Sequence, residues 1–228
     1  MSIDFSPLWI SLKTAFAATT LTFFLGIAAA WFVAGYSGRL KGIMDGLLTL
    51  PMVLPPTVVG FFLLVVLGKN GPVGKLLCLF DTQIIFSWSA TVVAASAVSF
   101  PLMYKTARGA FEQVDRNIIY AAQTLGVSDR KIFWRVTVPL AWPGIAAGTV
   151  LSFARALGEF GATLMIAGNI PGKTQTIPIA IFFAAEGGEM DKALLWVVLI
   201  FVISFVVMVL MNYWNEYQTK SMCVAWRE

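Results

Sequence analysis

Histidine is absent from this 228-residue chain, and only two cysteines, Cys78 and Cys223, occur in it. The first absence removes His-based catalytic triads, HExxH zinc sites and imidazole proton relays. The two cysteines lie far apart in no metal-ligand spacing, so they read as plain thiols, and no metal and no cofactor is expected. Charge is scarce: Asp, Glu, Lys and Arg make up 12% of residues, about half the usual fraction for a globular domain. No phosphate-binding GxxxxGK[ST] loop occurs either, so the chain is not expected to hydrolyse a nucleotide. Residues 1–9 carry Asp4 and no cationic run, which argues against a cleaved signal peptide and for a first apolar segment that stays.

What fills the chain instead is apolar surface, 58% of residues. One water-soluble core cannot absorb that much, so the class expected is an all-α polytopic membrane protein. Five stretches are long enough to cross about 30 Å of hydrocarbon, at residues 11–35, 45–68, 87–107, 142–168 and 193–215. A sixth, 176–185, is too short to cross and reads as a re-entrant or interfacial helix, so about five spans are expected, six being possible. No internal repeat divides the chain, and residues 1–228 read as one membrane domain.

Orientation follows from the cations. On one side fall Arg39, Lys41, Lys105, Arg108, Arg116, Arg130, Lys131, Arg135, Lys220 and Arg227; on the other, Lys13, Lys69, Lys75, Lys173 and Lys192. Cytoplasmic loops hold the excess of Lys and Arg, so the first set is placed in the cytoplasm, the N-terminus outside and the C-terminus inside. Trp9, Trp31, Trp88, Trp142, Trp196 and Trp214 fall near the ends of the proposed spans, where amphipathic rings settle.

The stretch that departs from this pattern is residues 109–141, the longest cytoplasmic loop. Asp115 can cap a helix through Leu125, and Gly126 can take the left-handed turn that ends it. Ser128 can cap a second helix, which Pro139 is expected to stop before the next span. A helix–turn–helix also suits DNA, but this one is tethered at both ends to spans, and its second helix carries Ile132, Phe133 and Trp134, which suit packing better than base reading. Ala121, Ala122 and Gly126 would instead let another protein approach the backbone closely. The loop is therefore expected to be a docking element, with no nucleic-acid partner.

Ala121 and Ala122, then Gly126, then Val138, Pro139 and Leu140 resemble the cytoplasmic loop signature of ABC-importer permeases, the element that docks on the ATPase. Tyr120 stands where that family often has Glu, and Val138 where it usually has Leu. Two longer stretches, LPMVLPPTVVGFFLLVVLGKNGPVG (50–74) and FARALGEFGATLMIAGNIPGKTQTIP (153–178), look like the permease subunit of molybdate importers; the sulfate permeases share LGEFGA and the double proline but are usually longer. The resemblance implies a type I ABC-importer permease with a cytoplasmic helix–turn–helix coupling loop. It further implies a homodimer in the cell inner membrane, two ATP-binding cassette subunits below, an oxyanion-binding protein outside, and translocation of molybdate or tungstate. On this basis Tyr120, Ala121, Ala122, Leu125, Gly126 and Pro139 are expected at the ATPase contact.

Two intramembrane features stand out. Pro51, Pro55 and Pro56 fall inside the second expected span; prolines free backbone groups that a bilayer tolerates only in protein or beside a cavity, so they mark either a packed kink or a substrate path. Arg155 and Glu159, four apart in the fourth span, would share a helix face as a pair turned from lipid. That pair reads as an oxyanion contact, as a structural lock, or, in a secondary transporter, as an ion site. Lys173 and Thr174, in an outer loop, could meet a binding protein or the anion.

Overall fold

The computed structural model describes residues 4–225, with side chains as far as Leu210 and for Tyr213, and these residues are almost wholly helical. Helix α1 (Ser6–Gly35) starts where Asp4 accepts hydrogen bonds from the Ser6 backbone N–H (2.9 Å) and hydroxyl (2.8 Å). Then come α2 (Lys41–Val53), α3 (Pro56–Leu67), short α4 (Pro72–Cys78) and α5 (Trp88–Glu112). The loop carries α6 (Arg116–Thr124) and α7 (Asp129–Ile132), followed by a π-turn (Phe133–Thr137) and α8 (Val138–Leu157). The last three are α9 (Gly161–Ala167), α10 (Ile177–Glu186) and α11 (Met190–Ala225). Cys223, Lys220 and Trp214 lie outside the residues whose side chains are described, and Arg227 outside the described residues altogether.

Helices α1, α5 and α8 form the core, and small residues let them approach. A methyl group at Gly26 would lie 2.7 Å from Met103 Cγ. Ala15, Ala18, Ala95 and Ala156 are buried together with Leu157. Polar pairs tie these helices where no water competes: Thr14 and Thr91 hydroxyls meet at 2.9 Å, and Ser152 donates to the Ser99 carbonyl at 3.4 Å. Helix α5 holds Thr91, Ser96 and Ser99 in its buried face because its neighbours are helices, not lipid. Helix α10 is anchored to α1 where the Ile177 backbone N–H donates to Ser11 Oγ at 2.7 Å.

Three helices among the described residues are long and apolar enough to cross a membrane on those grounds alone: Ser6–Gly35, Asp129–Leu157 and Met190–Leu210. The expected span 45–68 is not one rod. It breaks between α2 and α3, whose axes differ by 111°. Leu54 is extended (ψ 142°), the conformation that a following proline favours, and Pro56 opens α3 at its first turn. Pro51 sits inside α2 without ending it.

The expected span 142–168 is also corrected. Its helix ends at Leu157, and residues 158–160 separate it from α9. Pro139 does not stop the second loop helix, which runs on from Asp129 to Leu157. The π-turn widens the helix just before Pro139, with the Val138 N–H reaching back to Phe133 O, and so accommodates a residue that cannot donate. Trp196 is corrected too: it is buried between α10 and α11 beside Phe5 rather than set at a lipid boundary.

Candidate functional site: a docking loop and two facing helix breaks

Residues 109–141 build a rigid, exposed knob. Asp115 caps α6 by accepting from the Asn117 N–H at 2.9 Å. At the other end Gly126 is left-handed (φ +76°), the Val127 N–H reaches Ala122 O at 3.2 Å, and the Gly126 N–H reaches Gln123 O at 2.9 Å. This six-to-one, five-to-two pairing is the Schellman stop that a glycine after a helix permits. Ser128 occupies the cap position of α7 without a side-chain cap bond; instead Gln123 donates to Asp129 at 3.0 Å and ties the two helices. Ile132 is buried, and Phe133 packs on Trp31 at 4.3 Å between ring centroids, while Trp134 is exposed.

The face left open is apolar. Leu125 is 82% exposed and Tyr120 54%, beside exposed Ala121 and Gly126, with Ala122 half-buried; Pro139, in α8, is exposed as well. A side chain at position 126 would meet nothing within 4 Å. Arg116, Arg130, Lys131 and Arg135 surround this face, all exposed. An apolar knob with an open backbone and a basic rim suits a protein cleft with acidic edges.

The second feature is where the broken helices meet. Helix α3 packs on α9 so closely that a methyl group at Gly60 would lie 2.8 Å from both Ala162 Cα and Met165 Cβ. One at Gly161 would lie 3.2 Å from Pro56 Cβ and Thr57 N. The breaks at Leu54–Pro55 and at residues 158–160 therefore face each other. Gly60 and Gly161 are the contact residues that the prolines alone did not reveal; glycine in an apolar run was their only signal in the sequence.

Arg155 and Glu159 do not share a helix face, because the helix ends between them. Arg155 is near the end of α8, and Glu159 lies in the break. They still pair, Nη1 to Oε2 at 2.7 Å, as an ion contact without aligned hydrogen-bond geometry. The other carboxylate oxygen, Oε1, accepts from the Ala162 N–H at 2.9 Å and so caps α9. Glu159 is 2% exposed, whereas the Arg155 side chain is 31% exposed. The carboxylate is held by the fold, and the guanidinium is the half of the pair that reaches an open surface.

In the outer loop the two candidates separate. Lys173 is exposed, but Thr174 is fully buried; its hydroxyl accepts from the Ile170 N–H at 3.1 Å and faces the Gly168 carbonyl at 3.3 Å. Thr174 closes the loop upon itself.

With this geometry in view, the sequence profile described as the binding-protein-dependent transport system inner membrane component matches residues 23–221. The chain belongs to this family. It is thus a multi-pass membrane transport component. It is 46% identical over 207 residues to the putative molybdenum transport system permease protein YvgM of Bacillus subtilis, covering 90% of each chain. It is 42% identical over 198 residues to the molybdenum transport system permease protein ModB of Escherichia coli K12, covering 86% of each. A probable sulfate transport system permease of Chlorokybus atmophyticus is 36% identical over 177 residues, 78% of this chain and 62% of that one. The fold matches that of the MetNI methionine ABC transporter, solved in inward-facing conformations, at TM-score 0.72 and 12% identity over 93% of this chain and 94% of that one. It also matches a bacterial alginate ABC transporter at TM-score 0.71 and 15% identity, over 91% and 78%. The all-α permease fold of type I ABC importers is that of this chain.

Proposed function

We propose that this chain is the membrane permease subunit of an ATP-driven importer that carries molybdate, with tungstate as an alternative cargo, into the cytoplasm. The exposed α6 knob carries the class: a Leu at 82% exposure beside an open glycine backbone belongs under a partner. The substrate rests on the similarity to two molybdenum permeases along nearly the full length of each. In this reading two copies of the chain enclose the path in the inner membrane, with the N-terminus outside and the C-terminus in the cytoplasm. Two ATPase subunits seat the loop through Tyr120, Ala121, Ala122, Leu125 and Gly126 at α6 and its stop, and through Pro139 at the start of α8. A binding protein delivers the oxyanion outside, where Lys173 offers a cation.

ATP is hydrolysed on the partner, and this chain converts that event into movement. The facing breaks at Pro55–Pro56 and 158–160 supply backbone that can reorient without unravelling a whole helix. Arg155 supplies positive charge beside them, neutralised from behind by Glu159. That neutral pairing lets a dianion pass without a deep trap. Glu159 is an unfavourable ion site for a secondary transporter, since both its oxygens are already engaged by the chain.

The test is uptake into proteoliposomes holding the chain, its ATPase and its binding protein. Uptake that requires ATP and is blocked by molybdate or tungstate but not sulfate supports the reading. Competition by sulfate moves the substrate to the sulfate class, and ion-driven uptake by the chain alone refutes the class.

A further inference from the structure

Helix α2 is held only at the surface of the helix bundle. None of its residues is buried, and it lies mainly against α5, with Met44 and Leu48 partly covered. Ile43 and Leu47 point outward, 69% and 68% exposed. What fastens it is polar. Arg108 of α5 forms an ion pair with Asp45 of α2 and donates to Glu112 at 3.0 Å. Lys41 of α2 pairs with the same Glu112 oxygen at 3.3 Å and reaches the Ala34 carbonyl of α1 at 3.5 Å. Tyr104, fully buried, donates its hydroxyl to Asp45 at 3.0 Å and accepts from Arg108 at 3.3 Å.

The position of this cluster matters more than its strength. Glu112 is the last residue of α5, and Asp115, the cap of α6, follows three residues later. At its other end α2 stops at the Leu54–Pro55 break. The five side chains therefore sit on the short route between the loop knob and the broken helix. With one central Arg touching an acid on each side, the cluster has directional geometry that apolar contacts lack.

We infer that Lys41, Asp45, Tyr104, Arg108 and Glu112 form a transmission strut: they make α2 follow the end of α5, so that displacement of α6 reaches the break at Leu54–Pro55. They are positioning residues, acting through α2 and α5. The inference rests on the permease reading above.

The test uses the complete transporter in proteoliposomes and compares molybdate taken up per ATP hydrolysed. Asp45→Asn and Arg108→Gln should keep the ATPase co-purifying but lower that ratio by about two-fold to thirty-fold, the range over which coupling residues act. Tyr104→Phe, which removes only one hydroxyl, should lower it less and guards against a folding defect in the charge variants. The Asp45→Asn/Arg108→Gln double variant should be no worse than the worse single one, because the two act as one contact. An unchanged ratio in the charge variants overturns the strut, as does a fall that merely tracks loss of the ATPase or adds across the double variant. Failure of the unaltered chain to bind the ATPase would overturn the permease reading instead, so the two failures are distinct.

Discussion

Removing Arg155 should harm the protein more than neutralising Glu159, although Glu159 is the buried partner. The reasoning follows what each change leaves behind. Glu159→Gln retains an oxygen that can accept from Ala162 N–H, and it strands an arginine whose side chain is 31% exposed rather than enclosed by the chain. The cost is then about 1–2 kcal/mol, the breakage of a buried pair discounted for that exposure. Arg155→Met strands a carboxylate that is 2% exposed, with one backbone donor left. An uncompensated buried charge costs about 3 kcal/mol or more, or the group takes up a proton to avoid it. The double variant should recover most of that loss, since no charge then remains to bury. For a chain of this length each kcal/mol moves the unfolding midpoint by about 2–4 °C, so the apparent midpoint in detergent should fall by about 2–8 °C for Glu159→Gln and by about 6–12 °C or more for Arg155→Met. Heating followed by size-exclusion chromatography of the surviving protein measures this. Uptake adds a second reading: if Arg155 serves the anion, the double variant regains stability but not transport. A midpoint for Glu159→Gln below that of Arg155→Met would refute the argument.

Other expectations follow from the same geometry. Gly126→Trp places a Cβ that meets no neighbour within 4 Å but strains a residue at φ +76° and blocks the docking face; ATPase co-purification should be lost while membrane insertion persists. Gly60→Ala forces α3 from Ala162 and Met165 and should cost about 1–3 kcal/mol, whereas Gly46→Ala, with open space around it, should be neutral or stabilising by a similar midpoint assay. Leu125→Asp should weaken ATPase binding without lowering the midpoint, because that side chain is 82% exposed and contributes little to the fold. Thr174→Val should destabilise by about 1 kcal/mol and leave binding-protein dependence intact, because its hydroxyl serves the outer loop itself.

What the sequence made legible was local. A capping Asp115 and a Gly126 at the far end of a short amphipathic run specify α6 from neighbouring residues alone, and the Schellman bonds follow without help from the rest of the fold. Pro55 and Pro56 likewise announce a break, because each proline biases the residue before it away from the helix and the pair compounds that bias, whereas the single Pro51 stays inside α2. Pro139 was misleading for the converse reason. A proline near the start of a helix is compatible with it, and the preceding π-turn relieves the clash, but nothing in the residues before it signals the extra width. The break at 158–160 was hidden because it needs no proline. Residues 158–160 form a turn between α8 and α9 that lets Glu159 cap the next helix, and their glycine, glutamate and phenylalanine carry no breaker as plain as a proline. Farther from local rules still is the contact of Tyr104 with Asp45, 59 residues apart in the chain. Each of those groups, read alone, is an ordinary residue near a loop. Only when α2 folds back along α5 do they become a single charged joint beside the docking knob, which places the interactions that carry force in the part of the fold that pattern cannot reach.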